Sequence, residues 1–335
     1  MAGSGTRATA TDFNNIQSTV STILGVGSGT NGYGQPLLSA QVAPGSVISS
    51  TQWNNLRTDL SNARVHQTNV AVADGLASIA ANRGSPWQTL QLLTSSTAIS
   101  DQIRDQYNQF ATGISSNALV AAAAQLSSPT SISTTTRATP WGAPGALSIT
   151  HTVTVTFAGY TSGSLTVSAA DHLRCFYNAG GYLQVVTSLT GGTSASANTK
   201  DYDWKNMLSG YVSYNLYINS AALGSGGALN SPGSVNTGLG YTSLTTGGAA
   251  TTVLTQASSY SKYAENRFTI AVAKPTSNTL TFTMTFTDND TGDQVGVGPG
   301  VDESITGTIT STVNCVRPTG SNVSIPAPTA SSTVL

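Results

Sequence analysis

Leu280-Thr281-Phe282-Thr283-Met284-Thr285-Phe286 alternates an apolar side chain with threonine without a break. Successive side chains of an extended chain point to opposite faces, so this stretch predicts a strand with an apolar face inward and a hydroxyl face outward. The same period of two runs through Leu147, Ile149, His151, Val153, Val155 and Phe157, through Leu165 and Val167, and through Phe268, Ile270 and Val272. Ile305, Ile309 and Val313 share a parity, residues 211–218 (Tyr-Val-Ser-Tyr-Asn-Leu-Tyr-Ile) predict an aromatic-rich strand, and Val323 with Ile325 closes the set. Phe176-Tyr177-Asn178-Ala179-Gly180-Gly181-Tyr182-Leu183-Gln184-Val185 predicts a hairpin around a glycine turn. Seven to nine short strands joined by Gly- and Ser-rich turns predict an antiparallel β-sandwich of jelly-roll or immunoglobulin-like type over residues 146–335. Threonine is β-branched and suits the exposed strand faces. Gly224 to Ala250 is a poor core former, read as a loop or as a segment that orders against another chain.

Toward the N-terminus the period changes to that of a helix. Phe13, Ile16, Val20 and Ile23 share one helical face, with Thr11 as the expected cap and Gly25, Gly27 and Gly29 as the stop. A second helix is expected from Ser50 or Thr51, carrying Trp53, Leu56, Leu60 and Ala63. The two share a motif at an offset of 40 residues: Thr-Asp-Phe-Asn-Asn-Ile at 11–16 and Thr-Gln-Trp-Asn-Asn-Leu at 51–56. An early aromatic anchor followed by polar residues off the apolar stripe fits helix-pair packing, docking against neighbouring subunits, or both. Phe13, Ile16, Trp53 and Leu56 are the expected packing or interface residues. A short helix is expected over Val70 to Ala81 and a longer one over Ala98 to Ile114. The expected organisation is α+β and multidomain: a helical attachment and oligomerisation region (1–125), a Ser/Thr/Pro-rich linker (126–145) and the sandwich (146–335).

Composition limits the partners. Charged residues are 8% of the chain against a usual value of roughly 25%. Thirteen Lys and Arg residues form no basic stripe, so the chain lacks the cationic field that grips nucleic acid. No apolar run reaches the length of a membrane span, and the N-terminus lacks the charged region and apolar core of a standard signal peptide. A weakly charged surface suits a protein packed into a large assembly, or an exported protein with a neutral, hydroxyl-rich surface.

No catalytic, cofactor-binding or metal-binding residue is expected from the sequence. His151 has the inward parity of its strand, His172 is placed in a turn, and His66 ends a helix, where positive charge is favourable. Cys175 and Cys315, placed on strands, are open to a disulfide or to two buried thiols, the latter being preferred. Asp288-Asn289-Asp290-Thr291-Gly292-Asp293, with Asp302 and Glu303 beyond, is dense in calcium-type oxygen ligands but does not match an EF-hand loop. It is read as a polar hairpin between the strand ending at Phe286 and one beginning near Ser304. Asp12, Asp59, Asp101, Asp105, Asp203 and Glu265 show no pairing of the kind a glycosidase needs.

Several motifs carry a family resemblance: Thr11-Asp12-Phe13-Asn14-Asn15-Ile16, Leu24-Gly25-Val26-Gly27-Ser28-Gly29, Gly32-Tyr33-Gly34-Gln35 and Ser50-Thr51-Gln52-Trp53-Asn54-Asn55-Leu56-Arg57 in the N-terminal part. Phe176-Tyr177-Asn178-Ala179-Gly180-Gly181, Thr285-Phe286-Thr287-Asp288-Asn289 and residues 307–313 (Gly-Thr-Ile-Thr-Ser-Thr-Val) carry it in the C-terminal part. On these the chain resembles virion structural proteins of tailed bacteriophages, especially the neck, collar and tail-associated proteins of cyanophages and related environmental phages. It departs from their pattern at Tyr177, where a second Phe is frequent. The resemblance implies a non-enzymatic virion component without cofactor, homo-oligomeric and often trimeric. Its helical region would attach it to other virion proteins at the head–tail connector or tail. A receptor- or glycan-binding tail fibre is the first alternative and a carbohydrate-active hydrolase the second.

Overall fold

The computed structural model describes residues 9–69, 121–143, 148–290 and 302–335. The helices expected over Val70 to Ala81 and Ala98 to Ile114 lie outside the described residues, as does Leu147. The chain is α+β, with four α-helices and two large, mostly antiparallel sheets among the described residues. It forms two compact units, and it enters each more than once. The first comprises Met1–Ser127, Gly159–Gly180 and Arg317–Pro326; the second comprises Ser128–Ala158, Gly181–Val316 and Ala327–Leu335.

The first unit is built on α1 (Ala10–Leu24) and α2 (Ser50–Thr68). Thr9, not Thr11, caps α1: its hydroxyl accepts from Asp12 N while the Asp12 carboxylate accepts from Thr9 N at 2.9 Å. Ser49 and Gln52 form the same reciprocal box on α2. Thr9 wins over Thr11 because only Thr9 has an acidic residue three positions on. The 40-residue repeat therefore includes the caps, Thr9/Ser49 with Asp12/Gln52. α1 stops at Gly25 and α2 at Asn69, which takes the left-handed conformation at φ 56°. A small hairpin, β3 (Tyr160–Ser162) with β4 (Leu165–Val167), leads into α3 (Ala169–Asn178).

α3 corrects the expected hairpin at 176–185. Ser168 caps the helix by accepting from Asp171 N, and His172, Leu173, Cys175 and Phe176 fall on a buried face at helical spacing. Only after Gly180, at φ 83°, does the chain extend into a strand. His172 and Cys175 are thus helical, not in a turn and a strand. Val323 and Ile325 are buried in the first unit outside any strand, except that Ser324 bridges Thr319.

The second unit holds both large sheets. One has the order β1 (Thr130–Arg137), β12 (Thr308–Val316), β5 (Tyr182–Thr190), β6 (Tyr214–Leu216), β7 (Ala221–Leu223). The other has the order β13 (Thr329–Val334), β2 (Ser148–Thr156), β11 (Thr279–Thr287), β10 (Arg267–Thr276), β9 (Thr251–Ala257), β8 (Ser234–Val235). The apolar–threonine alternation is realised in β11: Leu280, Phe282, Met284 and Phe286 are all 0% exposed, and the threonines between them face outward. Opposite them in register stand Val155, Val153, His151 and Ile149 of β2. His151 Nδ1 lies 2.8 Å from Ser311 Oγ of β12, so a buried polar pair links the two sheets.

Three expectations are corrected here. The segment expected as linker contains β1, which pairs antiparallel with β12 from Thr130↔Cys315 to Arg137↔Ile309. Its Ser/Thr composition suits an edge strand with one solvated face as well as it suits a linker. The strand expected over 211–218 shrinks to β6, because Val212 sits at φ 63°. β12 begins at Thr308, while Ile305 makes only an isolated bridge with Trp141. A β-branched residue in the left-handed region costs about 1–2 kcal/mol, and Val212 is 43% exposed with little packing to lose. Val212→Asn is therefore expected to raise the unfolding free energy by about 1 kcal/mol, read as a higher urea midpoint.

Candidate functional site

Phe13, Ile16 and Leu56 are buried in the first unit, and Trp53 is half-buried. The aromatic anchors of the repeat meet: the Phe13 and Trp53 rings lie edge to face, 5.1 Å apart. The asparagines have a use that the sequence pattern did not disclose. Asn14 exchanges two hydrogen bonds with the Val42 backbone, at 2.8 and 2.9 Å, and Asn55 donates to Leu38 O. Buried Asp59 accepts from Leu38 N, Ser39 N and Ser39 Oγ. The glycine-rich connector between α1 and α2 is thus fastened to both helices. It carries two exposed apolar side chains, Leu38 at 59% and Val47 at 91%.

Two other parts of the first unit bear on function. His66 Nε2 donates to Ala179 O at 2.9 Å and its ring packs on Tyr33; burial pushes its pKa down to about 4. The positive charge expected at the end of α2 is therefore absent at neutral pH, because the imidazole is buried. At the end of α1 lies an open groove of about 420 Å³, lined by Ser21, Thr22, Gln35, Pro36, Leu37 and Ser164 among others, none of them titratable.

In the second unit the charged groups gather at the start of α4 (Lys200–Gly210), capped by Thr199. The Lys200 side chain is fully buried. Its Nζ lies 2.8 Å from Asp288 Oδ2, 2.7 Å from Asp302 Oδ1 and 3.4 Å from Asp290 Oδ2, and it donates to Gly142 O. The described part of the segment weighed for calcium, Asp288–Asp290, thus surrounds a lysine ammonium; Thr291 to Asp293 lie outside the described residues. Among the described residues no group of His, Cys, Asp and Glu is arranged to hold a metal ion. Burial pulls the Lys200 pKa down, but the Asp288 and Asp302 carboxylates outweigh it and hold the ammonium above its usual range. Asp288 is raised as well, by burial first and by the like charge of Asp302. The two directions agree physically: one cation shared among three carboxylates cannot compensate them all, and the most deeply buried carboxyl carries the deficit.

The neighbours of Lys200 complete the cluster. Asp201 accepts from Thr193 N and Oγ1, Thr306 N and Oγ1, and Gly307 N, all between 2.6 and 2.9 Å. Burial alone would raise its pKa, but these donors lower it. Asp203 accepts from Ser258 Oγ at 2.6 Å through Oδ1, while Oδ2 meets no donor. Burial, aided by the negative charge of Asp288, raises Asp203 to about 7 against the pull of Ser258. Sequence reasoning missed Lys200, yet a signal was present: a lysine in the first helical turn opposes the helix dipole and implies a compensating acid elsewhere.

Cys175 and Cys315 are both buried, and neither is in a disulfide. Burial pushes Cys175 up to about 12, which removes it as a thiolate nucleophile at neutral pH. No helix among the described residues is long and apolar enough to cross a membrane. No protein-family model, curated protein or solved structure matches the chain.

Proposed function

We propose that the chain is a non-enzymatic structural component of a bacteriophage virion, a neck, collar or tail-associated protein that docks through its N-terminal helical region. The observation that carries this reading is the surface of the sheets. The outward positions of β2 and β11 are Ser148, Thr150, Thr152, Thr154 and Thr156 beside Thr287, Thr285, Thr283, Thr281 and Thr279 in register. Such a face offers hydroxyl hydrogen bonds and β-branched packing with no charge to desolvate, which suits repeated contact with neighbouring copies. A jelly-roll or immunoglobulin-like sandwich is the finer fold reading, supported by two antiparallel sheets that bury apolar faces. Its partners are further copies of itself, a trimer being the common arrangement in the resembled proteins, and the virion proteins at the head–tail connector or tail.

Exposed Leu38 and Val47 make the connector the natural contact for the next virion protein. Burying each side chain at an interface is worth about 1.5–3 kcal/mol, so the double variant Leu38→Asp/Val47→Asp is expected to lower incorporation into particles at least tenfold while the purified chain keeps its urea midpoint. Quantitative mass spectrometry of purified particles reads this out. Absence of the wild-type chain from the particles would sink the proposal.

The uncharged groove at the end of α1 favours a second reading, a receptor- or glycan-binding fibre. Its hydroxyl, amide and proline lining suits a neutral sugar. Binding to a glycan array that is lost in Gln35→Ala would move this reading to first place.

A further inference from the structure

We propose that Lys200 and Asp288 condense to form an amide bond inside the second unit, covalently joining the first turn of α4 to the end of β11. This goes beyond the virion reading and does not depend on it.

Four observations carry the proposal. Both side chains are 0% exposed, and Nζ stands 2.8 Å from Asp288 Oδ2, within reach of the carboxyl carbon once the amine turns. Aromatic residues flank the pair along the chain. Trp204 lies one turn along α4 from Lys200, Trp141 precedes the Gly142 carbonyl that Nζ touches, and Phe286 stands two residues before Asp288. These rings meet each other, with Trp141–Trp204 centroids at 5.2 Å and Trp204–Phe286 at 6.1 Å. Asp203, 4% exposed, sits three residues after Lys200 on the same helical face, and one of its oxygens meets no donor. Finally, carboxylates outnumber the single lysine, so the cluster must hold protons on some of its carboxyls. Burial selects Asp203 for this and readies Asp288 to accept the ammonium's proton, in line with their raised pKa values.

The chemistry balances without a cofactor. In a dry site a neutral amine beside a neutral acid competes with the ion pair, because both ions have lost their hydration. The ammonium gives one proton to the Asp288 carboxylate, and the freed lone pair attacks the Asp288 carboxyl carbon. Asp203 gives its proton to the departing oxygen and takes the second nitrogen proton in its place. The C–O bond breaks, one water leaves, and an amide N–H remains. One ammonium and one carboxylate vanish together, so the net charge is unchanged. The amide N–H is left facing Asp302 Oδ1, now 2.7 Å from Nζ, and the Asp302 side chain keeps 19% of its surface in solvent. The bond would join residues 88 positions apart in sequence.

The test is the intact mass of the purified full-length chain under denaturing conditions, followed by peptide mapping. The expected result is a mass one water below that of the sequence, with a branched peptide joining Lys200 to Asp288. Lys200→Arg and Asp288→Ala are expected at full sequence mass. Asp203→Asn, shown to be folded by its urea transition, is expected to lose most of the cross-link, which a merely structural residue would not cause. Wild-type chain that is folded and of full mass would overturn the proposal, as would a branch mapping to Asp302 or Asp290. Undiminished cross-linking in Asp203→Asn would remove Asp203 from the reaction.

Discussion

Asp201→Ala is expected to be the most destabilising single substitution in the second unit, at about 3–5 kcal/mol or more. Asp201 is 1% exposed and accepts five hydrogen bonds, three of them from backbone N–H groups of Thr193, Thr306 and Gly307. Alanine removes the acceptor and leaves those donors buried without partners, a cost of about 1–3 kcal/mol each before relaxation. Asn is no remedy. It keeps Oδ1 for Thr306 N and Gly307 N, but it turns an amide N–H₂ toward the Thr193 and Thr306 donors that now meet Oδ2. Both variants are expected to shift the urea midpoint strongly, Asp201→Asn by nearly as much as Asp201→Ala. A loss under 1 kcal/mol in either would show that Asp201 does not hold the 193 and 306 loops to α4.

Asp203→Asn is expected to change the pH dependence of the second unit. The folded pKa of Asp203, raised from 3.8 to about 7, makes the native state keep a proton that the unfolded chain releases. Its contribution is fully present below the unfolded value and is lost as pH rises from about 4 to 7, amounting to about 4 kcal/mol at the upper end. His151 works in the other direction. Burial, with the charge of Arg137, lowers it from 6.5 to about 4, so its contribution is present above 6.5 and is lost as pH falls through that window. That term is worth about 3 kcal/mol. Within the second unit the two offset between pH 4 and 6.5, while His66 of the first unit, also lowered to about 4, contributes with the sign of His151. Asp203→Asn removes the first, so across that window its stability is expected to climb by about 3 kcal/mol more than that of the wild type, measured by urea unfolding at each pH. Parallel wild-type and variant profiles would contradict the assignment.

How much of this was legible depends on which physical signal each segment carried. β11, β2 and α1 were readable because one face of each is buried and the other solvated, so the period survives in the sequence. α3 was not, because Phe176 and Tyr177 are adjacent and both fully buried, which mimics a strand beside the Gly180 turn. The Ser168/Asp171 cap was the stronger signal there. β1 was hidden because an edge strand of Ser and Thr lacks apolar alternation. The repeat motif pointed to the Phe13–Trp53 pair, and the use of its asparagines emerged only with the fold of the connector. The Lys200 cluster joins residues 88 and 102 positions apart, a pairing that no local pattern encodes. Among the described residues of the acidic segment, Asp288, Asp290 and Asp302 surround the Lys200 ammonium.

The virion role is tested most directly by locating the chain in a cryo-electron microscopy map of the intact particle. The account predicts repeated, symmetry-related copies at the neck or tail, with α1, α2 and the Leu38–Val47 connector against the neighbouring virion protein and the threonine faces of the sheets against further copies. Density only at a distal fibre tip, or no density for this chain anywhere in the particle, would contradict it.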